Sequence, residues 1–192
     1  LAPRDNFAAE VARKLFLYNM CHASLAYLGA ERSYTWVHET LDAPDLRDIF
    51  VGAAGEISRA LEAEYPADIT REQNEAILAD ILVRYGNPLL QDTIERVGRD
   101  PMRKLGRHDR LVGAAQLCVR HRVRPDNILR IIAAAFRYSD DHGGSGGSGA
   151  VSPSGVLAEK GPEAAVTEVC GLPPEDPLHA AIVAALSAGP ID

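Results

Sequence analysis

Lys14, Asn19 and His22 stand in a K-x4-N-x2-H arrangement, inside Lys14-Leu-Phe-Leu-Tyr-Asn-Met-Cys-His22. At about 100° per helical residue, Asn19 lies roughly 140° round from Lys14, and His22 falls between them at roughly 80°. One broad helix face then carries a base candidate and two neutral hydrogen-bonding groups. A lysine becomes a useful base when burial disfavours its ammonium form. Asn19 and His22 would then hold the oxygen of a substrate hydroxyl while Lys14 takes its proton. The plain alternative is a surface lysine, a helix-interior asparagine and a histidine that only packs.

A second group gathers Arg96, Arg99, Arg103 and Lys104 around Pro101. Charge runs are usually solvated faces. Pro101 argues against one continuous helix here, so a turn can converge these cations on one anion. The planar arginine fork suits phosphate oxygens in pairs.

The elements that must position both groups are helical throughout. Apolar spacing predicts a helix over Ala8–Leu28 with Gly29 as its C-cap, then helices over Tyr34–Leu41 and Asp45–Tyr65. Thr70-Arg-Glu-Gln73 is a capping-box pattern that opens a helix to about Val83. Gly86-Asn87-Pro88 breaks it, and Asp92-Thr93 caps a short turn. Leu111–Val119 and Asp126–Tyr138 read as core helices. Gly161-Pro162-Glu163 and Asp176-Pro177 each start a further helix, and this tail packs back on the main body. Gly143–Gly149 is a Gly/Ser run of linker composition, and weak order is expected through Gly155. The division is a helical substrate-binding domain over 1–142, a linker over 143–155 and packed C-terminal helices over 156–192.

The chain has 192 residues and 46% apolar composition, enough for a substantial core. Its net charge of −7 argues against general nucleic-acid binding. Cys21, Cys118 and Cys170 have no paired spacing, which fits neither a disulfide framework nor a zinc site and points to a reducing cytoplasm. No run reaches the ~20 apolar residues of a membrane span. The chain opens on Leu1, so a true start upstream is expected.

K-L-F-x-x-N-x-x-H-A-x-x-A-Y-L-G, from Lys14 to Gly29, resembles the start of the C-terminal domain of the mannitol-1-phosphate 5-dehydrogenase and long-chain mannitol dehydrogenase family. Asn87-Pro88, Asp92-Thr93 and then R-V-G-R-D-P-x-R-K-L from Arg96 are similar to that family's second signature. The resemblance implies an all-α, multi-helical bundle like the C-terminal domains of mannitol and 6-phosphogluconate dehydrogenases. It implies metal-independent polyol chemistry with Lys14 as base, Asn19 and His22 orienting the reacting oxygen, and Arg96 and Lys104 binding substrate. Arg99 and Arg103 resemble the extra arginines of the sugar-phosphate branch and imply phosphate contact. His108 and Asp109-Arg110-Leu111 also fit, in a structural role.

The family's other half is not legible. A strand, a glycine-rich turn and a helix for a dinucleotide cannot be found, and Gly143–Gly149 follows a helical stretch. The expectation is the substrate-binding and catalytic half of a polyol-phosphate dehydrogenase. It binds no cofactor alone and uses NAD(H) only with a separate Rossmann-domain chain or segment. Its expected ligand is a phosphorylated sugar or polyol. The alternative is a stand-alone, nicotinamide-independent sugar-phosphate isomerase, epimerase or lyase using Lys14 as base. A third reading is a non-catalytic sugar-phosphate sensor or an interaction module.

Overall fold

The computed structural model describes residues 7–139 and 151–191. The Gly143–Gly149 run and the expected domain edge at 142 lie outside the described residues. The described chain is all-α: α1 (Phe7–Arg13), a π-turn (Lys14–Asn19), α2 (Met20–Ala30), α3 (Val37–Asp42), α4 (Pro44–Glu64) and α5 (Arg71–Tyr85). A short 3₁₀ turn (Pro88–Leu90) leads to α6 (Ile94–Gly98), α7 (Pro101–Lys104), α8 (Val112–Arg120), α9 (Asp126–Arg137), α10 (Pro153–Cys170) and α11 (Pro177–Ser187). Among the described residues the one β contact is an antiparallel bridge between Trp36 and Thr93.

The architecture is built around α2. Leu25, Ala26, Tyr27 and Leu28 are all fully buried, and a helix apolar all round belongs at the centre of a bundle. It packs against α3, α4, α6 and α9. Gly29 is not the expected C-cap, because the helix runs on to Ala30. A Cβ on Gly29 would sit 2.2 Å from Thr40 Oγ1 and 2.6 Å from Ile94 Cδ1. Thr40 in turn donates its hydroxyl to the Leu25 carbonyl at 3.0 Å. The glycine is there for close approach of α3 and α6 to the central helix.

Local rules explain most helix ends. Thr70 and Gln73 form the expected box, with Gln73 N–H donating to Thr70 Oγ1 at 3.3 Å and Thr70 N–H to Gln73 Oε1 at 3.2 Å. Pro44 and Pro177 open their helices at the first turn. The start of α3 is later than Tyr34 because Thr35 and Asp92 are drawn into the bridge. Val37 N–H donates to the Asp92 carbonyl at 2.9 Å, and Ile94 N–H to the Thr35 carbonyl at 3.0 Å. A feature no local pattern announces is Glu56 of α4. Its buried carboxylate accepts the N–H of Asn127 (2.9 Å) and of Ile128 (3.1 Å) and the Asn127 side-chain amide (2.7 Å). That anion sits at the positive end of α9.

The C-terminal helices contact the helices before them, α10 against α7 and α9, α11 against α8 and α9. Ser152 caps a helix that starts at Pro153, within the stretch to Gly155 where weak order was expected. That helix kinks at Gly161 (φ 79°), so a new helical piece does start at Gly161-Pro162. Cys21, Cys118 and Cys170 are free and buried, and burial pushes each thiol up to about 12.

Candidate functional site

The first motif does not lie on a regular α-helix. Lys14–Asn19 is a π-turn, in which i→i+5 bonding places residues five apart roughly one turn above one another. Lys14 and Asn19 are five apart. The π-turn therefore brings closer to register two residues that an α-helix would splay by about 140°. Turns of this type are frequent at functional sites. His22 follows on the first turn of α2, where the backbone is α-helical again.

His22 is held from two sides. Its ring stacks on Tyr85, at the end of α5, with centroids 4.5 Å apart and 7° between planes. Its Nε2 lies 3.2 Å from Asp92 Oδ2. The other oxygen of Asp92 is in close ion-pair contact with the Arg96 guanidinium. The Asp92 side chain is only 10% exposed. One buried carboxylate thus joins the histidine of the first motif to the arginine of the second, 74 positions apart in sequence (96 − 22).

Burial, then the positive charges of Arg96, Lys104, Arg84 and Arg110, push the His22 imidazole down to about 4. At neutral pH the ring is neutral. Asp92 beside it does not reverse this, because its charge is shared with Arg96.

The second motif folds as the proline dictates. α6 ends at Gly98, Asp100 takes a left-handed conformation (φ 58°), and α7 starts with Pro101 in its first turn. The chain doubles back, and Lys104 becomes buried, 5% exposed. Its Nζ donates to the Val97 carbonyl at 2.5 Å and lies 5.7 Å from the centre of the Tyr27 ring. Tyr27 Oη donates to the Gly98 carbonyl and Arg99 Nε to the Arg96 carbonyl, both at 3.0 Å. Three side chains therefore satisfy the last carbonyls of α6. Burial, then Arg110 and Arg103, pull Lys104 down to about 8, against the opposing pull of Asp100 and Asp109.

The cations of the second motif differ in commitment. Arg103 pairs with Asp109 at 3.2 Å and Asp100 at 3.6 Å. Asp109 is also held by Arg110 at 2.8 Å, the structural part expected of Asp109-Arg110. Arg96 is paired with Asp92 yet 54% exposed. Arg99 is exposed and makes no ion pair among the described residues.

The structure therefore brings His22, Arg96 and Lys104 within electrostatic reach of one another, with Asn19 half-buried one turn before His22. Lys14 stands exposed on the π-turn, where a lysine dried by burial was expected, and nothing among the described residues covers that side. The buried lysine of this site is Lys104. Asp92, Tyr85, Arg84 and Arg110 were not singled out for the site. Only Asp92 had a usable signal, its i,i+4 spacing to Arg96. Among the described residues no group of three or more His, Cys, Asp or Glu side chains is arranged to hold a metal. No helix there is long and apolar enough to cross a membrane.

Residues 7–188 match the mannitol dehydrogenase C-terminal domain. The chain belongs to the mannitol dehydrogenase family. It is 38% identical to a mannitol-1-phosphate 5-dehydrogenase of Caldanaerobacter subterraneus subsp. tengcongensis, over 91% of this chain and 44% of that protein. A Bacillus subtilis protein of the same name is 34% identical, over 95% of this chain and 46% of its own length. One from Alternaria alternata is 32% identical, over 94% and 45%. The chain spans less than half the length of these relatives and corresponds to the C-terminal domain of the mannitol dehydrogenase family.

Proposed function

We propose that the chain is the substrate-binding and catalytic half of a polyol-phosphate dehydrogenase acting on a ligand like mannitol 1-phosphate. The observation that carries this is the Asp92 junction, which unites two distant motifs around a neutral imidazole and several cations. Arg96 and Lys104 hold the hydroxyl-rich chain of the substrate. Asn19 and His22 orient the reacting hydroxyl, and Lys14 accepts its proton. Arg99 takes the phosphate first, since Arg103 already serves two carboxylates.

A nicotinamide would accept the hydride in such a reaction. The described residues include no strand element and hence no strand, glycine turn and helix to cradle one. Every step assigned to this chain is therefore binding, orientation or proton transfer, and the nucleotide domain is supplied by another chain or segment. The exposure of Lys14 supports the same division of labour. Phe7, 79% exposed, and Val11, 46% exposed, precede Lys14 at helical spacing. A second domain covering that apolar strip would dry Lys14 and disfavour its ammonium form. The stand-alone isomerase, epimerase or lyase reading needs Lys14 dry without a partner, and its exposure speaks against that.

Calorimetry on the purified chain tests the proposal. Mannitol 1-phosphate binds and unphosphorylated mannitol binds at least about tenfold more weakly, as one charge-assisted contact is worth roughly 1.5–3 kcal/mol. Equal affinities would defeat the phosphate reading.

A further inference from the structure

The backbone around Asp92 leaves its side chain with no capping duty. Thr93 is the cap of α6, its Oγ1 accepting Arg96 N–H at 3.1 Å. The Asp92 carbonyl accepts Val37 N–H, and Ile94 N–H is satisfied by Thr35. The bridge with Trp36 pins this stretch from the far side. An aspartate nine-tenths buried on so fixed a backbone, with one oxygen on an imidazole and the other on a guanidinium, has a job beyond helix ending.

We infer that Asp92 is a positioning residue, which fixes the ring nitrogen of His22 that carries the proton and holds imidazole and guanidinium in one register. The chemistry follows from donor and acceptor types. The carboxylate accepts from Nε2–H, so Nδ1 becomes the free acceptor of the ring. Tyr85 stacking removes the remaining freedom of the ring plane. His22 can then accept from a substrate hydroxyl but not donate to the reacting oxygen, and that donation falls to the Asn19 amide. This assignment of roles rests on the polyol reading above. The tautomer assignment does not.

The junction also makes Arg96 the counter-ion that keeps the Asp92 charge from recruiting a proton to His22. The charged or titratable groups around the ring are Asp92, Tyr85, Arg84, Arg96, Lys104 and Arg110. Removing Arg96 takes away one cation and releases one anion, and both changes favour the imidazolium. Removing Asp92 does the opposite.

The test is nitrogen NMR of the whole chain labelled at histidine, with pH titration of the His22 signals. In the unaltered chain Nε2 carries the proton and Nδ1 does not. Asp92→Ala yields averaged shifts of mixed tautomers. Asp92→Asn has one carbonyl for two donors: with that carbonyl on the Arg96 guanidinium, the amide NH2 faces Nε2 and the ring shifts toward the Nδ1–H form. Arg96→Gln, at a half-exposed side chain, raises the His22 midpoint by about one unit or more, tenfold in proton affinity. A merely structural ion pair would lower thermal stability in all three variants and move neither tautomer nor midpoint. An Nδ1–H ring in the unaltered chain, an unchanged tautomer in Asp92→Ala, or an unmoved midpoint in Arg96→Gln would each overturn the inference. Should Asp92→Ala fail to fold, the unaltered chain and Arg96→Gln still decide it. None of these readings uses a sugar ligand, so failure of the polyol proposal leaves them intact.

Discussion

The two lysines of the proposed site have opposite surroundings. Lys14 rides an exposed π-turn, with exposed Phe7 and Val11 before it. Lys104 is buried beneath α6, donating to a helix-end carbonyl above the Tyr27 ring. The motif suggested that the first lysine would be the dry one. Dryness here comes instead from a chain reversal at Asp100-Pro101, which folds the second lysine back under its own helix. The difference teaches that a residue type can be placed by a motif while its charge state is set by what covers it. Lys104 is covered by its own chain, whereas Lys14 stands exposed among the described residues.

Replacing each lysine by methionine is the widest way to break this contrast. Lys104→Met leaves the Val97 carbonyl unpaired and removes a cation, so it lowers stability by about 1–3 kcal/mol and weakens phosphorylated-ligand binding tenfold or more. Lys14→Met on its exposed turn stays within about 0.5 kcal/mol of the parent in urea unfolding. Equal effects of the two variants would erase the distinction. Gly29→Ala probes the scaffold under both. Its new methyl group meets Thr40 and Ile94, and such overpacking costs about 1–3 kcal/mol. A variant as stable as the parent would show that α3 and α6 have room to yield.

Smaller effects sharpen the comparison. Arg99→Ala weakens binding of a phosphorylated polyol about tenfold, and Arg103→Ala less, because Arg103 is spent on Asp100 and Asp109. Neutral ligands respond little to either, and calorimetry of the four combinations checks the order. The pH dependence is subtler. The folded Lys104 titrates at about 8, below its ordinary 10.5, so the folded state prefers the neutral amine. This group's contribution to stability therefore rises between pH 8 and 10.5, and Lys104→Met removes that rise. Ligand binding runs the other way and falls as pH passes 8, with loss of the ammonium. For His22, lowered from 6.5 to about 4, the contribution is present above pH 6.5 and lost toward 4.

The all-α fold and the helix ends were legible because each rests on near neighbours: Thr70 with Gln73, Pro44, Pro177, and the Pro101 break. Motif spacing singled out His22 and Arg96, which the structure joins through Asp92. Their environments were not legible. The π-turn at Lys14–Asn19 has no apolar period to betray it, and Gly29 looked like a terminus because its reason for being glycine lies on α3 and α6. Asp92 passed for part of a cap, since the side chain it meets on α2 is 70 positions away. Glu56 on the start of α9 is equally remote.

The claim that the two motifs make one site is tested most directly by following the NMR signals of His22 and of the Arg96 and Lys104 side chains during a single titration with mannitol 1-phosphate. The account predicts that all three shift along one binding curve, with one midpoint. Movement of the Arg96 and Lys104 signals while His22 stays still would contradict it.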